Sequence, residues 1–238
     1  MHNKRVSTTI SVVILSLIAI AFLFPFVWMV ATSLKPTTEV FSLSPTGSRI
    51  AWDNYPSALN SIPFGRVVLN SFIVSLAGAA LVVVVSVLSA YAFARLRFKG
   101  RDHLFMVFLG TLVLPQEVLV IPLYIGMQRM GLVNSYFALI VPFAFGAFGA
   151  FLIRQFLMSL PLEFEEAARI DGCSDWKILT KILLPLLKAP ITVVGVFAFI
   201  DYWSAFLWPL IVVNDSSLAT IPLGLQMFSG ERGTAWGP

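Results

Sequence analysis

Long uncharged stretches decide what this chain can become. Residues 6–34, 67–94 and 130–153 contain no Asp, Glu, Lys or Arg, while 103–128 and 189–214 contain one each, Glu117 and Asp201. A bilayer core of about 30 Å takes roughly 20 helical residues, and an unpaired backbone group in lipid costs several kcal/mol, so only helices or closed barrels cross it. Runs this long are helices, not barrel strands. The expected fold is all-α, a polytopic transmembrane helical bundle with about five spans, forming one domain over residues 1–238.

Composition closes the soluble alternatives. The chain is 58% hydrophobic and only 12% charged, whereas a soluble domain carries about 25% charged residues. Nucleic-acid binding needs a basic stripe interleaved with stacking aromatics; here the aromatics sit inside the apolar runs. One cysteine, Cys173, cannot close an intramolecular disulfide, and two histidines, His2 and His103, fall short of any metal-ligand spacing. Neither metal nor redox chemistry is expected.

The first run follows Lys4 and Arg5 as a secretory signal would, but a signal core is only about 7–15 apolar residues, so this run reads as an uncleaved span. Orientation comes from the basic residues. The N-terminus (Lys4, Arg5), the segment with Arg95, Arg97, Lys99 and Arg101, and the segment with Arg154, Arg169, Lys177, Lys181 and Lys188 hold 11 of the 16 Lys and Arg. Five spans put all three on one side, which the positive-inside bias makes cytoplasmic, N-terminus included. The other side receives a loop at 35–66 with interfacial Trp52 and Tyr55, and the tail after Asn214. Pro25, Pro115, Pro122, Pro142 and Pro209 predict kinked helices whose freed carbonyls are satisfied by neighbours.

The most informative segment is the polar one at 158–187. Within it Pro161 suits a first helical turn, Glu163, Glu165 and Glu166 complement the positive end of the dipole, and Gly172 supplies the left-handed residue that ends a helix of about ten residues. Ser174 is expected to cap a second helix that stops at or before Leu184, because Pro185 restricts its predecessor. The small pair Ala167 and Ala168 would let another surface approach the backbone, with Glu166 and Asp171 available to a partner's donors. An amphipathic helix lying on the membrane fits the same residues.

The string E-A-A-R-I-D-G at 166–172, followed after nine residues by Ile182, Leu184 and Pro185, resembles the E-A-A, G, I-x-L-P signature of ABC importer permeases. P-F-V-W-M-V-A-T-S-L-K-P at 25–36, Asn54-Tyr55, Asn70-Ser71, A-Y-A-F-A-R at 90–95 and P-L-I at 209–211 resemble the maltose-type branch that carries carbohydrates. The resemblance implies an inner-membrane permease subunit importing a sugar or sugar-derived solute. It implies that 158–187 is a coupling loop, with Glu166, Ala167, Ala168, Asp171, Gly172, Ile182, Leu184 and Pro185 as the coupling residues. The implied partners are cytoplasmic ATP-binding subunits, a second permease and an external solute-binding protein. ATP and Mg would sit on the ATPase, since no G-x-x-x-x-G-K-[ST] phosphate loop occurs here; no cofactor and no catalytic residue is expected on this chain.

Magnitudes restrict how such a loop works. Swinging a transporter from 1:99 to 99:1 takes about 5.5 kcal/mol of differential interaction, or about 200 Å² of extra apolar burial at roughly 25 cal/mol per Å². Phe164 and two alanines do not supply that. The loop is expected to act as a rigid lever driven by closure of its partner.

Two departures stand out. The family usually carries Asn after the Trp of the fifth span, where this chain has Ser204, and it normally has a sixth span that these residues do not display. Inside the spans, Glu117 and Asp201 lie roughly 20 Å from the cytoplasmic side at 1.5 Å per residue. A carboxylate at the bilayer centre costs about 2.5–3.5 kcal/mol. Each should therefore face protein or water or be protonated: it either faces a substrate pathway, together with Tyr202, Trp203 and Ser204, or is a structural group bonded to Gln116, Tyr202 or Ser204 or close to the outer interface. The aromatics Phe197, Phe199, Tyr202, Trp203, Phe206 and Trp208 either stack on sugar faces or pack toward lipid and protein. A proton-coupled carrier using Glu117 and Asp201 is the rival function; the inverted repeats common in such carriers are not visible.

Overall fold

The computed structural model describes residues 2–230. Every regular element among them is helical. The described residues cluster as two compact units, one formed by residues up to 64 together with those from 227 on, and one by residues 65–226.

The first unit holds α1 (His2–Ser33) and α2 (Asn54–Ser61). Within α1, Ser11–Ser33 is long and apolar enough to span, and Pro25 lies inside the helix. Its C-terminal carbonyls have partners: the Asn54 side-chain amide donates to the carbonyls of Ser33 and Lys35, both at 2.9 Å, and the Ala51 amide donates to Leu34 at 2.8 Å. Lys35 is buried; its ammonium donates to the Ser42 carbonyl at 3.0 Å and lies 5.0 Å from the Trp28 ring centroid. The loop at 35–66 is thus ordered by its own polar groups, with Tyr55 and Ser33 hydroxyls 2.7 Å apart.

The second unit is built on α3 (Phe64–Arg95), the other helix long and apolar enough to span unbroken. Lipid is as apolar as leucine, so helices there associate through close approach of small residues and through hydrogen bonds. The buried stripe of α3 follows that rule: Asn70, Ser71, Ser75, Gly78, Ala79, Ser86 and Ala90 recur at helical spacing. At Gly78 a Cβ would fall 2.6 Å from the Tyr202 ring, so only glycine admits that aromatic.

The remaining apolar runs are not continuous helices. The third divides into α4 (Arg101–Gly110) with a 3-10 turn to Val113, then α5 (Gln116–Arg129), bent by 101°. Leu114, just before Pro115, is extended at ψ 121°, as a residue preceding proline prefers. The fourth yields α6 (Tyr136–Ile140), a turn, and α7 (Ala147–Ser159), while the fifth yields α11 (Lys188–Ser204) and α12 (Leu207–Val212). In an unbroken helix Pro209 would clash with the carbonyl four residues back, that of Ala205, and Ala205 is where the chain turns extended. The kinks expected from the prolines of these three runs take the form of breaks, each run being a pair of short helices. By length and composition two helices can span unbroken, and up to five spans result if the bent pairs 101–113 with 116–129, 147–159 with 163–170, and 175–186 with 188–204 each count as one.

After α12 the chain returns to α3. Asn70 donates to the carbonyls of Ser217 and Ala219, both at 2.9 Å, and accepts from the Tyr136 hydroxyl at 2.6 Å, while the Ile221 amide donates to Ser71. The Asp215 carboxyl accepts the Ser217 amide, which holds its pKa below the usual carboxylate value. The tail after Asn214 is packed structure into α13 (Ile221–Gly230), with Ala219, Thr220 and Leu223 buried.

Candidate functional site

The polar segment between α7 and α11 folds as one compact turn of helices. α8 (Glu163–Ile170) leaves α7 at 78°. It has eight residues, starting two later than Pro161, which precedes the helix instead of opening it. It ends in a Schellman motif: the Cys173 amide donates to Ala168 at 2.9 Å and the Gly172 amide to Arg169 at 3.0 Å, with Gly172 at φ +80°. Ser174 then caps α9 (Asp175–Lys177), accepting the Lys177 amide.

The second helix does not stop at Leu184. It widens into a π-helical stretch, Ile178–Leu183, continues as α10 (Leu184–Leu186), and meets α11 at a bend of 81°. A π turn is wider than an α turn, so it gives the Pro185 ring room that a regular helix lacks. The expectation that proline ends the helix is corrected to a helix that changes register around it.

This unit is anchored on one side and open on the other. Ala168, Ile178, Leu179 and Leu183 join a core with Val87, Ala90 and Tyr91 of α3 and Ile153 and Leu157 of α7, with Ile182 and Leu184 packed at its edge. Glu165, in the first turn of α8, is buried and pairs with Arg95 at the end of α3, Nε to Oε1 at 2.5 Å. Arg95 also donates to the carbonyls of Leu157 at 2.8 Å and Leu160 at 3.2 Å, the exit of α7. Arg154 of α7 is likewise embedded, 4.1 Å from the Phe105 ring centroid, donating to the Phe93 carbonyl and pairing with Asp102 at 3.4 Å.

The outward face of α8 carries Glu163, Glu166, Ala167 and Ile170, all exposed, Ile170 to 87%. Phe164 and, from α9, Trp176 are exposed beside it. Arg169 and Asp175 bridge the Gly172 turn at 2.7 Å. The two alanines therefore differ: Ala167 lies outward, while Ala168 is taken up by the chain's own core, because residues one apart on a helix point 100° from each other. Of the other expected coupling residues, Asp171, Gly172 and Pro185 are exposed, and Ile182 and Leu184 are half-buried.

A second feature lies where the spans are broken. A cavity of about 430 Å³ is lined by residues from all three breaks: Leu112, Gln116 and Glu117; Phe143 and Gly146; Ser204, Ala205 and Phe206. Glu117, Asp201, Tyr202 and Ser204 all line it. Trp203 does not; it stacks on Phe199 at 5.6 Å and meets Phe72 edge-on at 4.9 Å. Neither carboxylate is bonded to Gln116, Tyr202 or Ser204: the Tyr202 hydroxyl donates to the Ile140 carbonyl, and Ser204 to Ile200 within its own helix. Trp208 donates its indole N–H to Ala138 at 2.8 Å. That carbonyl is the one freed by Pro142 four residues on, so the aromatic of one broken span satisfies the break in another.

Composition pointed to neither Arg95 nor Glu165 as partners. Arg95 reads as one more positive-inside residue and Glu165 as one of three acids near a helix start. The available clue was Arg95 closing the uncharged run at 67–94. Asn70, a polar residue within an apolar run, was quoted only as part of a motif, and its tethering role emerges from the fold.

Residues 82–235 match the family described as binding-protein-dependent transport system inner membrane component. The sn-glycerol-3-phosphate transport system permease protein UgpE of Pectobacterium atrosepticum is 38% identical over 99% of this chain and 87% of that protein. The lactose transport system permease protein LacG of Rhizobium radiobacter is 33% identical over 98% and 86%, respectively. The sulfoquinovosyl glycerol transport system permease protein SmoH of Agrobacterium fabrum is 33% identical over 93% and 79%. In fold, the chain is similar to one from a bacterial ABC transporter involved in the import of the acidic polysaccharide alginate, with a TM-score of 0.79 at 24% identity over 95% of this chain and 80% of that one.

Proposed function

The chain belongs to the binding-protein-dependent transport system inner membrane component family, and from that premise we propose that it is the membrane-spanning permease of an ATP-driven importer for a sugar or sugar-derived solute. ATP is hydrolysed on separate cytoplasmic subunits. A second permease completes the pathway, and an external binding protein delivers the solute. The N-terminus and the 158–187 segment lie on the cytoplasmic side, the assignment favoured by the distribution of Lys and Arg.

The observation that carries this reading is the division of α8 into two faces. Glu165 and Ala168 tie it to α3 and α7, while Glu163, Glu166, Ala167 and Ile170 remain uncovered. An element fixed on one side to the ends of two membrane helices and presented on the other to a partner transmits displacement and needs no catalytic group. The Schellman turn and the Arg169 to Asp175 bridge stiffen the connection to α9, so a push on α8 reaches α11 through Leu187. At the far end of those helices the breaks around the cavity provide backbone and side-chain groups for a solute. Uptake by the intact complex in proteoliposomes tests the reading: transport that requires internal ATP and survives a protonophore is expected, and transport abolished by the protonophore but indifferent to ATP contradicts it.

A further inference from the structure

We infer that the solute this subunit passes is a hydroxyl-rich molecule without an anionic group, selected against phosphate and carboxylate esters by the cavity at the broken spans; the inference rests on the permease reading above. The cavity volume of about 430 Å³ falls in the range of small-molecule sites, roughly 300–1,000 Å³. Its charged lining residues are Glu117 and Asp201, and none of its lining residues is Lys, Arg or His. Among the described residues neither carboxyl belongs to an ion pair.

Backbone groups at the breaks act on charge too. The starts of α5 and α7 meet the cavity and offer amide donors, and a helix N-terminus carries roughly +0.5 of a charge. The end of α11, which bears Asp201, opposes them with about −0.5. The two helix-end effects offset one another, while both carboxyl groups line the same space and Glu117 already occupies the first turn of α5. What remains is a lining with amide donors, carbonyl and carboxyl acceptors, and the apolar faces of Phe148, Phe197 and Phe206. A hydroxyl both donates and accepts, so it satisfies both kinds of polar group; a phosphate only accepts, leaving the carboxyls unpartnered and adding repulsion.

The external binding protein also filters solutes, so the test reads the cavity directly. Ser204→Cys in a Cys173→Ser background of the purified full transporter is labelled with methanethiosulfonates carrying either a trimethylammonium or a sulfonate group. Relative to their rates with free cysteine, the cationic reagent is expected to react on the order of tenfold faster, as a cleft of one sign concentrates counter-ions; E117Q with D201N added should remove the advantage. In parallel, ATP-dependent uptake by the complete transporter is compared across neutral sugars and polyols and their phosphate esters, with neutral solutes carried preferentially. Equal labelling by the two reagents, or a phosphate ester carried best, overturns the inference while leaving the permease reading intact. Uptake that persists without ATP sinks the permease reading, and the labelling ratio still reports the cavity's sign.

Discussion

Arg95 and Glu165 stand 70 residues apart in sequence and meet at 2.5 Å, Nε to Oε1, with both side chains less than a tenth exposed. The pair joins the last residue of the longest span to the first turn of the exposed helix α8. A buried pair contributes modest stability against an apolar substitute, but removing one partner leaves an uncompensated charge and costs about 3–5 kcal/mol.

Arg95→Ala is therefore expected to destabilise strongly, since it also orphans the carbonyls of Leu157 and Leu160. Thermal unfolding of the purified complex checks this. Arg95→Met combined with Glu165→Leu should recover part of the stability yet leave ATP hydrolysis and uptake less tightly coupled. Full coupling in that double variant would reduce the pair to a packing role.

Glu166→Gln separates contact from stability. Glu166 is exposed, and surface substitutions usually stay within about 0.5 kcal/mol, so melting temperature and membrane insertion should be unchanged. Solute uptake per ATP should fall severalfold. A loss of stability equal to that of Arg95→Ala would show that the residue serves the fold.

Gly172→Ala acts on the turn itself. At φ +80° an added Cβ costs roughly 1–2 kcal/mol, and no neighbour lies within 4 Å of it, so the strain is purely backbone. The expected outcome is an inserted complex whose ATPase rate no longer follows solute transport. Gly172→Asn, a residue more tolerant of this conformation, should restore more coupling than Gly172→Ala.

Gly78→Ala drives a methyl group to 2.6 Å from the Tyr202 ring. Overpacking of this kind costs about 1–3 kcal/mol. Displacing Tyr202 also breaks its bond to Ile140 and moves the wall of the cavity. Lower thermal stability and impaired uptake should appear together, and Tyr202→Phe, which removes only the hydroxyl, should be milder on both measures.

The number and class of elements could be read from charge-free runs, because hydropathy reports what lipid will accept. It does not report straightness. Proline marked the breaks at Pro115 and Pro142 and, four residues on, at Ala205, yet Pro25 and Pro122 lie inside continuous helices. Which prolines break a span depends on whether a partner such as Trp208 reaches the freed carbonyl, and that is a tertiary fact. The α8 turn was legible through Gly172 and Ser174 because capping is local. Its continuation through Pro185 was not, since the π-helical stretch is stabilised by core contacts of Ile178, Leu179 and Leu183. Glu117 and Asp201 could be flagged from their cost in lipid; that both line one cavity while Trp203 turns away required the fold.

The account stands on α8 presenting its open face to an ATP-hydrolysing subunit. Ile170→Cys in a Cys173→Ser background, crosslinked in membranes during solute import, measures this directly. A crosslink from residue 170 to the ATP-binding subunit that changes in yield when ATP is exhausted is the predicted result. Labelling of the same cysteine by an impermeant thiol reagent added outside the cell, with no such crosslink, would contradict it.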